Sequence, residues 1–136
     1  MKFIGFNLTK INAEKLSDNF KTAKISTKIN ITSIDPVESN FFKEEGLLRV
    51  KFTYSIEYST NAAKVEISGD ILLSTEKKQA KEITEGWKDK KISEDLRILI
   101  FNLILKKANV KALELEEQLN LPLHIPMPSL KKGKKE

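Results

Sequence analysis

The sequence has no cysteine and a single histidine, His124. Without cysteine the chain can form no disulfide framework, no thiolate metal site and no catalytic thiol. One histidine cannot supply a metal site of several histidines. The five glycines are scattered along the chain, so there is no glycine-rich phosphate loop. These absences argue against an enzyme and lead us to expect no metal and no cofactor.

Arginine is also scarce, since Arg49 and Arg97 are the only two. Arginine is the residue that reads guanine edges and clamps phosphates with two donors, so its scarcity argues against a nucleic-acid partner. Much of the net charge of +5 lies at the end of the chain, in Lys131, Lys132, Lys134, Lys135 and Glu136. We predict that residues 131–136 form a disordered basic tail.

No apolar run is long enough to span a membrane. The most apolar stretch, residues 98–105, is less than half of the roughly 20 residues that a spanning helix needs. The start of the chain, residues 1–6, lacks the continuous apolar region of a signal peptide. We therefore expect a cytoplasmic protein with one domain over residues 1–130.

Four segments alternate apolar and polar residues with the period of two that is typical of half-buried strands. They are residues 3–11, 24–34, 48–58 and 64–73, of which the last two form a hairpin. A phase shift at Ser33–Ile34 predicts a bulge. Asp35–Pro36 is expected to end the second strand, because proline cannot donate to the ladder. Gly69 falls on the apolar face and predicts a bulge or a closely packed helix.

Helical patterns follow the strands. Residues 76–87 carry Ala80, Ile83 and Trp87 at helical spacing, the pattern of a modest surface helix. Ser93 is suited to begin a second helix that the two lysines at 106–107 would end, and residues 110–119 predict a third.

The second helix is apolar nearly all the way round, which requires burial on two sides. We expect one side to pack on the chain's own sheet and the other on a second copy of the protein. The residues predicted for this oligomer interface are Leu96, Ile100, Phe101 and Ile104.

After the helices the chain reads Leu-Pro-Leu-His-Ile-Pro-Met-Pro over residues 121–128, here called the proline segment. Its prolines enforce an extended course, so its apolar residues must lie on a surface prepared for them. For His124 the expectation is a partly buried ring hydrogen-bonded to a carbonyl. Phe41 and Phe42 are adjacent, so at most one of them can point into a core and the other is a candidate for an exposed contact.

The order of these elements resembles the SecB family of export chaperones, and more closely its short SecB-like members. The residues that carry the resemblance are 4–15, 48–75, 92–107 and the proline segment. The resemblance implies an α+β fold in which helices pack on one face of a four-stranded antiparallel sheet. It further implies a dimer of dimers that holds unfolded client polypeptides in apolar grooves without ATP.

On this interpretation a small set of apolar residues lines or gates the client groove. The set is Phe41, Phe42, Leu121, Leu123, Ile125 and Met127. Classical members dock on the export motor SecA through acidic surfaces, and a basic chain is not expected to do so. Two alternatives remain open, namely a nucleic-acid module that uses the lysine tail and the polar sheet face, and a structural subunit that uses the apolar helix as an interface.

Overall fold

The computed structural model describes residues 1–18, 24–38, 45–59, 61–130 and 132. The strands are β1 (Lys2–Lys15), β2 (Ile25–Val37), β3 (Glu45–Tyr58) and β4 (Ala63–Glu76), and the helices are α1 (Lys77–Trp87) and α2 (Glu94–Gln118). The strands form one antiparallel sheet in the order β1-β4-β3-β2. The predicted α+β fold with a four-stranded antiparallel sheet is confirmed. The predicted basic tail lies outside the described residues apart from Lys132.

One face of the sheet, here called the helix face, is buried under the helices. On β3 every even-numbered residue from Leu48 to Tyr58 is at most 1% exposed. Helix α2 covers this face with a stripe of residues four apart, which are Leu96, Ile100, Ile104, Ala108 and Ala112. Helix α1 reaches the same face where Ala80 packs against Gly46, so closely that a side chain on Gly46 would overlap Ala80.

The edge strand β2 contains the predicted bulge but does not end where we expected. Its pairing register with β3 shifts between Ile31 and Ser33, as the phase of the sequence predicts. The strand then continues through Pro36, which lies opposite Leu48, and ends at Val37. Pro36 is tolerated because an edge strand has one side free of ladder hydrogen bonds.

Two further boundaries differ from the prediction. Strand β1 runs to Lys15, because residues 12–15 pair with the start of β4 although they are mostly polar. The two helices predicted at 93–107 and 110–119 are one continuous helix, α2. Residues 106–109 contain no glycine or proline, and lysine and alanine are good helix formers, so nothing there ends the helix. Its predicted start is confirmed, since the Ser93 hydroxyl accepts from the Leu96 N–H at 3.2 Å.

Neither helix in the described residues combines the length and the apolarity that a membrane crossing requires.

Gly69 allows aromatic rings from two strands to meet across a third. It lies in β4 between Leu8 of β1 and Phe52 of β3, next to a register shift in β1. The rings of Phe6 and Phe52 stack with centroids 5.4 Å apart. The predicted close approach is therefore made by β1 and by the Phe52 ring, not by a helix.

We expect Gly69→Ala to destabilise the fold by about 1–3 kcal/mol, because the added methyl group overpacks a filled site. It would overlap the Asn7 carbonyl oxygen and lie 3.1 Å from Phe52 Cζ. Gly5→Ala is the matched control, since its added carbon meets nothing within 4 Å. Urea unfolding of both variants measures the difference, and equal midpoints would contradict this role for Gly69.

Candidate functional site

The residues predicted as an oligomer interface lie mostly inside the single chain. Leu96, Ile100 and Ile104 are 7%, 0% and 0% exposed, because they form the stripe of α2 that covers its own sheet. This burial leaves them no surface for a second copy and corrects that part of the prediction. Phe101 is half-buried. The exposed apolar side chains on the first half of α2 are instead Ile98, Leu99 and Leu105.

The predicted client-binding residues fall into three groups. Phe41 and Phe42 lie outside the described residues. Leu121 is only 5% exposed and belongs to the hydrophobic core, so it is an anchor of the proline segment and not an open contact. Leu123 and Ile125 are half-buried, and Met127 is exposed. The proline segment is thus fastened at its start and open towards its end.

Apolar side chains on the two outer strands also remain partly or fully exposed on the helix face. On β2 the residues are Ile25, Ile29 and Ile31, here called the β2 strip, of which Ile25 is the most exposed. On β1 they are Phe3, Phe6, Leu8 and Ile11, here called the β1 strip. Alternation places the β2 strip on the helix face, whereas on β1 two register shifts bring Phe3 and Ile11 onto the face of Phe6 and Leu8. The sequence does not indicate that the helices leave these residues partly open.

A cluster of five polar side chains lies between the sheet, α2 and the proline segment. Its members, here called the polar cluster, are Tyr54, Tyr58, Asn109, Glu116 and His124. The side chain of Glu116 is 0% exposed and that of His124 is 3% exposed. A buried carboxylate is tolerated only when it is fully hydrogen-bonded, so the partners of Glu116 determine this arrangement.

The Glu116 carboxylate receives hydrogen bonds from two directions. The Tyr58 hydroxyl donates from the sheet, with its oxygen 2.5 Å from Glu116 Oε2 and also against the Pro122 carbonyl oxygen. His124 approaches from the proline segment, with Nδ1 2.7 Å from Glu116 Oε1 and its backbone N–H donating to the same oxygen at 3.5 Å. One carboxylate therefore joins β3, α2 and the proline segment.

The other side of the His124 ring meets the remaining members of the cluster. His124 Nε2 lies 3.0 Å from the Tyr54 hydroxyl and 2.9 Å from Asn109 Oδ1, and the Tyr54 hydroxyl also contacts Asn109 Oδ1. A hydroxyl can donate to a neutral ring, and a protonated ring can donate to the amide oxygen. The expected burial of His124 is confirmed, but its principal partner is a carboxylate and not a carbonyl.

The sequence contained only a partial signal for this cluster. Tyr54 and Tyr58 occupy the apolar phase of β3, where a buried hydroxyl needs a partner. Glu116 resembles an ordinary exposed acid beside Glu117 when residues 110–119 are taken as a separate helix. In the continuous helix α2 it follows Ala112 by four residues and so extends the stripe that faces the sheet.

Burial and the Glu116 carboxylate raise the pKa of both tyrosines. Burial, together with the charge of Glu116, raises the pKa of Tyr54 to about 12. Burial, followed by the hydrogen bond to Glu116, raises the pKa of Tyr58 further. Both phenols therefore stay protonated in the folded chain at pH values where an exposed tyrosine ionises.

The part of the chain that the structure describes contains no group of three or more histidine, cysteine or acidic residues placed to hold a metal ion. The polar cluster has almost no contact with solvent, so its chemistry suits fastening one segment of the chain to another.

The comparisons with known proteins support the fold. No family model matches the chain, and no curated protein matches it. Among solved structures the chain is similar to a SecB-like chaperone from Mycobacterium tuberculosis in complex with a ChAD peptide from the HigA1 antitoxin. The TM-score is 0.51 at 10% sequence identity, over 98% of this chain and 92% of that one. At this identity the likeness shows a SecB-like fold and nothing finer.

We expect the two tyrosines, the only ones in the chain, to resist ionisation while it is folded. Since their folded pKa values lie above the unfolded value of 10.0, their contribution to stability is complete below pH 10 and is lost as pH rises towards about 12. Near-ultraviolet phenolate absorbance measures the ionisation of the tyrosines directly. A chain unfolded in guanidinium should titrate near pH 10, and a folded chain that titrates there too would contradict the buried cluster.

Proposed function

We propose that this protein is a cytoplasmic, ATP-independent chaperone that binds unfolded polypeptides and keeps them from aggregating. The observation that carries the proposal is the apolar surface left open beside α2 on the helix face. Neighbouring apolar side chains that stay partly exposed in a chain with 32% charged residues are typical of a binding site. The fold of the antitoxin-binding SecB-like chaperone supports the same class of function.

The client site that we propose has the β2 strip as its floor and the proline segment at its side. Ile25 and Ile29 lie in register with Tyr58 and Tyr54, the residues that contact the proline segment. We propose that Leu123, Ile125 and Met127 border the strip and gate it. Phe41 and Phe42 follow β2 in the sequence and are proposed to complete the site.

The polar face of the sheet, opposite the helix face, disfavours the nucleic-acid alternative. Its charges alternate across the strands, with Arg49 opposite Asp35, Lys51 opposite Asp70, and Lys64 opposite Glu57. Lys10 forms an ion pair with Glu66 at 3.2 Å, and its ammonium lowers the pKa of that carboxyl. A face that is balanced in this way offers no basic stripe for a phosphate backbone.

The second open surface is proposed as the contact between copies of the chain. Ile98 and Leu105 are seven residues apart and therefore lie on one side of α2, which faces away from the sheet. Phe101 and Leu99 flank them. We propose a homo-oligomer, with a dimer of dimers as the expected form, that packs through this side of α2.

We expect the Ile25→Thr, Ile29→Thr double variant to hold unfolded protein about tenfold more weakly. Threonine keeps the branched shape that strands favour, but the variant removes apolar contact area from the floor of the site. Light scattering of a denatured model protein diluted without nucleotide measures the effect. Suppression of aggregation by the native chain should persist at high salt, because hydrophobic binding is not screened.

Val110→Thr is the control for that measurement, since Val110 is 69% exposed on α2. It should suppress aggregation as well as the native chain does. Equal suppression by the β2 variant would remove the β2 strip from the site. If the native chain suppressed no aggregation, the proposed function itself would be wrong.

We expect the Ile98→Lys, Leu105→Lys double variant to lower the oligomeric mass, because it places two charges in an apolar contact. Val110→Lys, on another side of the same helix, should leave the mass unchanged. Size-exclusion chromatography with multi-angle light scattering measures the oligomeric mass of both variants. If the double variant kept the native mass, this side of α2 would not be the interface.

A further inference from the structure

We infer that the proline segment is an internal occupant of the polypeptide-binding surface, held there as a client would be held and displaced when a client binds. The inference rests on the proposed function. It assigns a competitor to the site and identifies the preferred client as an extended apolar segment recognised largely through its backbone.

The first argument is the way in which the segment is held. Its backbone supplies two of the contacts, since the Pro122 carbonyl oxygen lies against the Tyr58 hydroxyl and the His124 N–H donates to the Glu116 carboxylate at 3.5 Å. Contacts to the backbone do not depend on side-chain identity. A surface that binds many unfolded sequences needs contacts of this kind.

The second argument is the gradient of burial along the segment. Leu121 is 5% exposed, Leu123 and Ile125 are half-buried, and Met127 is 54% exposed. The segment can therefore peel away from its open end once the His124 side chain, which is 3% exposed, is released, while Leu121 stays in the core.

The third argument is what lies beneath the segment. His124 packs edge-on to Tyr54, with ring centroids 6.2 Å apart, and Pro122 meets the hydroxyl of Tyr58. Lifting the segment uncovers these two rings, which adjoin Ile25 and Ile29 of the β2 strip in register. The partly exposed strip then adjoins the uncovered edges of the two rings, with the polar groups of Glu116 and Asn109 beside them.

The contacts that hold the segment are hydrogen bonds between polar groups, so the segment can leave and return. When the segment lifts, water reaches Glu116, Tyr54, Tyr58 and Asn109 and replaces the hydrogen bonds that His124 made. Such an exchange leaves a small net free energy for each bond. The segment thus competes with clients without excluding them. The apparent affinity for a client equals the affinity of the open chain multiplied by the fraction of chains in which the segment is open.

The first test compares backbone hydrogen exchange in the native full-length chain with and without saturating reduced, carboxymethylated α-lactalbumin, a permanently unfolded protein. The N–H group of His124, which donates to the Glu116 carboxylate, should exchange faster in the complex, because the client displaces the segment. Unchanged or slower exchange in a complex that does form would overturn the inference and leave the proposed function standing. A native chain that forms no complex would overturn both.

The second test opens the segment by substitution. His124→Ser removes the side-chain contacts to Glu116, Asn109 and Tyr54, so exchange at the N–H group of residue 124 and affinity for the unfolded protein should both rise by about tenfold. Ser129→Ala, which changes an exposed residue just beyond the segment, is the control and should alter neither. If His124→Ser does not fold, Leu123→Ser loosens the segment without touching the polar cluster.

Either variant separates the possible roles of the segment. Faster exchange with a higher affinity supports an internal occupant. Faster exchange with a lower affinity would show that the segment is part of the client contact, and faster exchange with an unchanged affinity would place the client elsewhere. Unchanged exchange in both variants would mean that these side chains do not fasten the segment, and each of these last three results overturns the inference.

Discussion

The buried carboxylate of Glu116 is the constraint on which the region around the proline segment depends. Removing a charge from water costs several kcal/mol unless hydrogen bonds replace the lost hydration. In this chain the replacements come from Tyr58 on the sheet and from His124 on the proline segment. Because the donors belong to different elements, α2 cannot rotate or slide without leaving the carboxylate unpaired. The polar cluster therefore sets the register of the helix on the sheet, which apolar contacts alone would leave loosely defined.

The open apolar surface follows from the dimensions of the elements. An α-helix with its side chains is about 10 Å wide, whereas the axes of four strands spaced about 4.8 Å apart extend over about 14 Å before their side chains are added. Helix α2 covers the central strands β3 and β4, and α1 covers only one end of the helix face. The outer strands β1 and β2 are consequently left partly open, although their alternating sequence prepares them for burial.

The sheet could be predicted from the sequence because its signals are local. Alternation identifies each strand, and the phase shift before Ile34 identifies the bulge. The predictions that were wrong concern element ends, which depend on neighbouring strands and residues. Pro36 ends a strand only where its missing N–H would be needed, and the sequence does not say that β2 is an edge. Likewise the two lysines at 106–107 resemble a helix end, but no residue beside them stops the helix.

The candidate site was harder to predict for the same reason. The direction of the Glu116 side chain follows from the continuity of α2, which the expected helix end at residues 106–107 concealed. Whether Leu96 or Ile98 is exposed depends on which side of an evenly apolar helix meets the sheet, and composition cannot distinguish them. The proline segment is the exception, because proline restricts its course wherever it lies. The sequence does not reveal that His124, the only histidine in the chain, contacts the Glu116 carboxylate eight residues earlier. Through this contact a segment suited to a binding surface is held on its own chain.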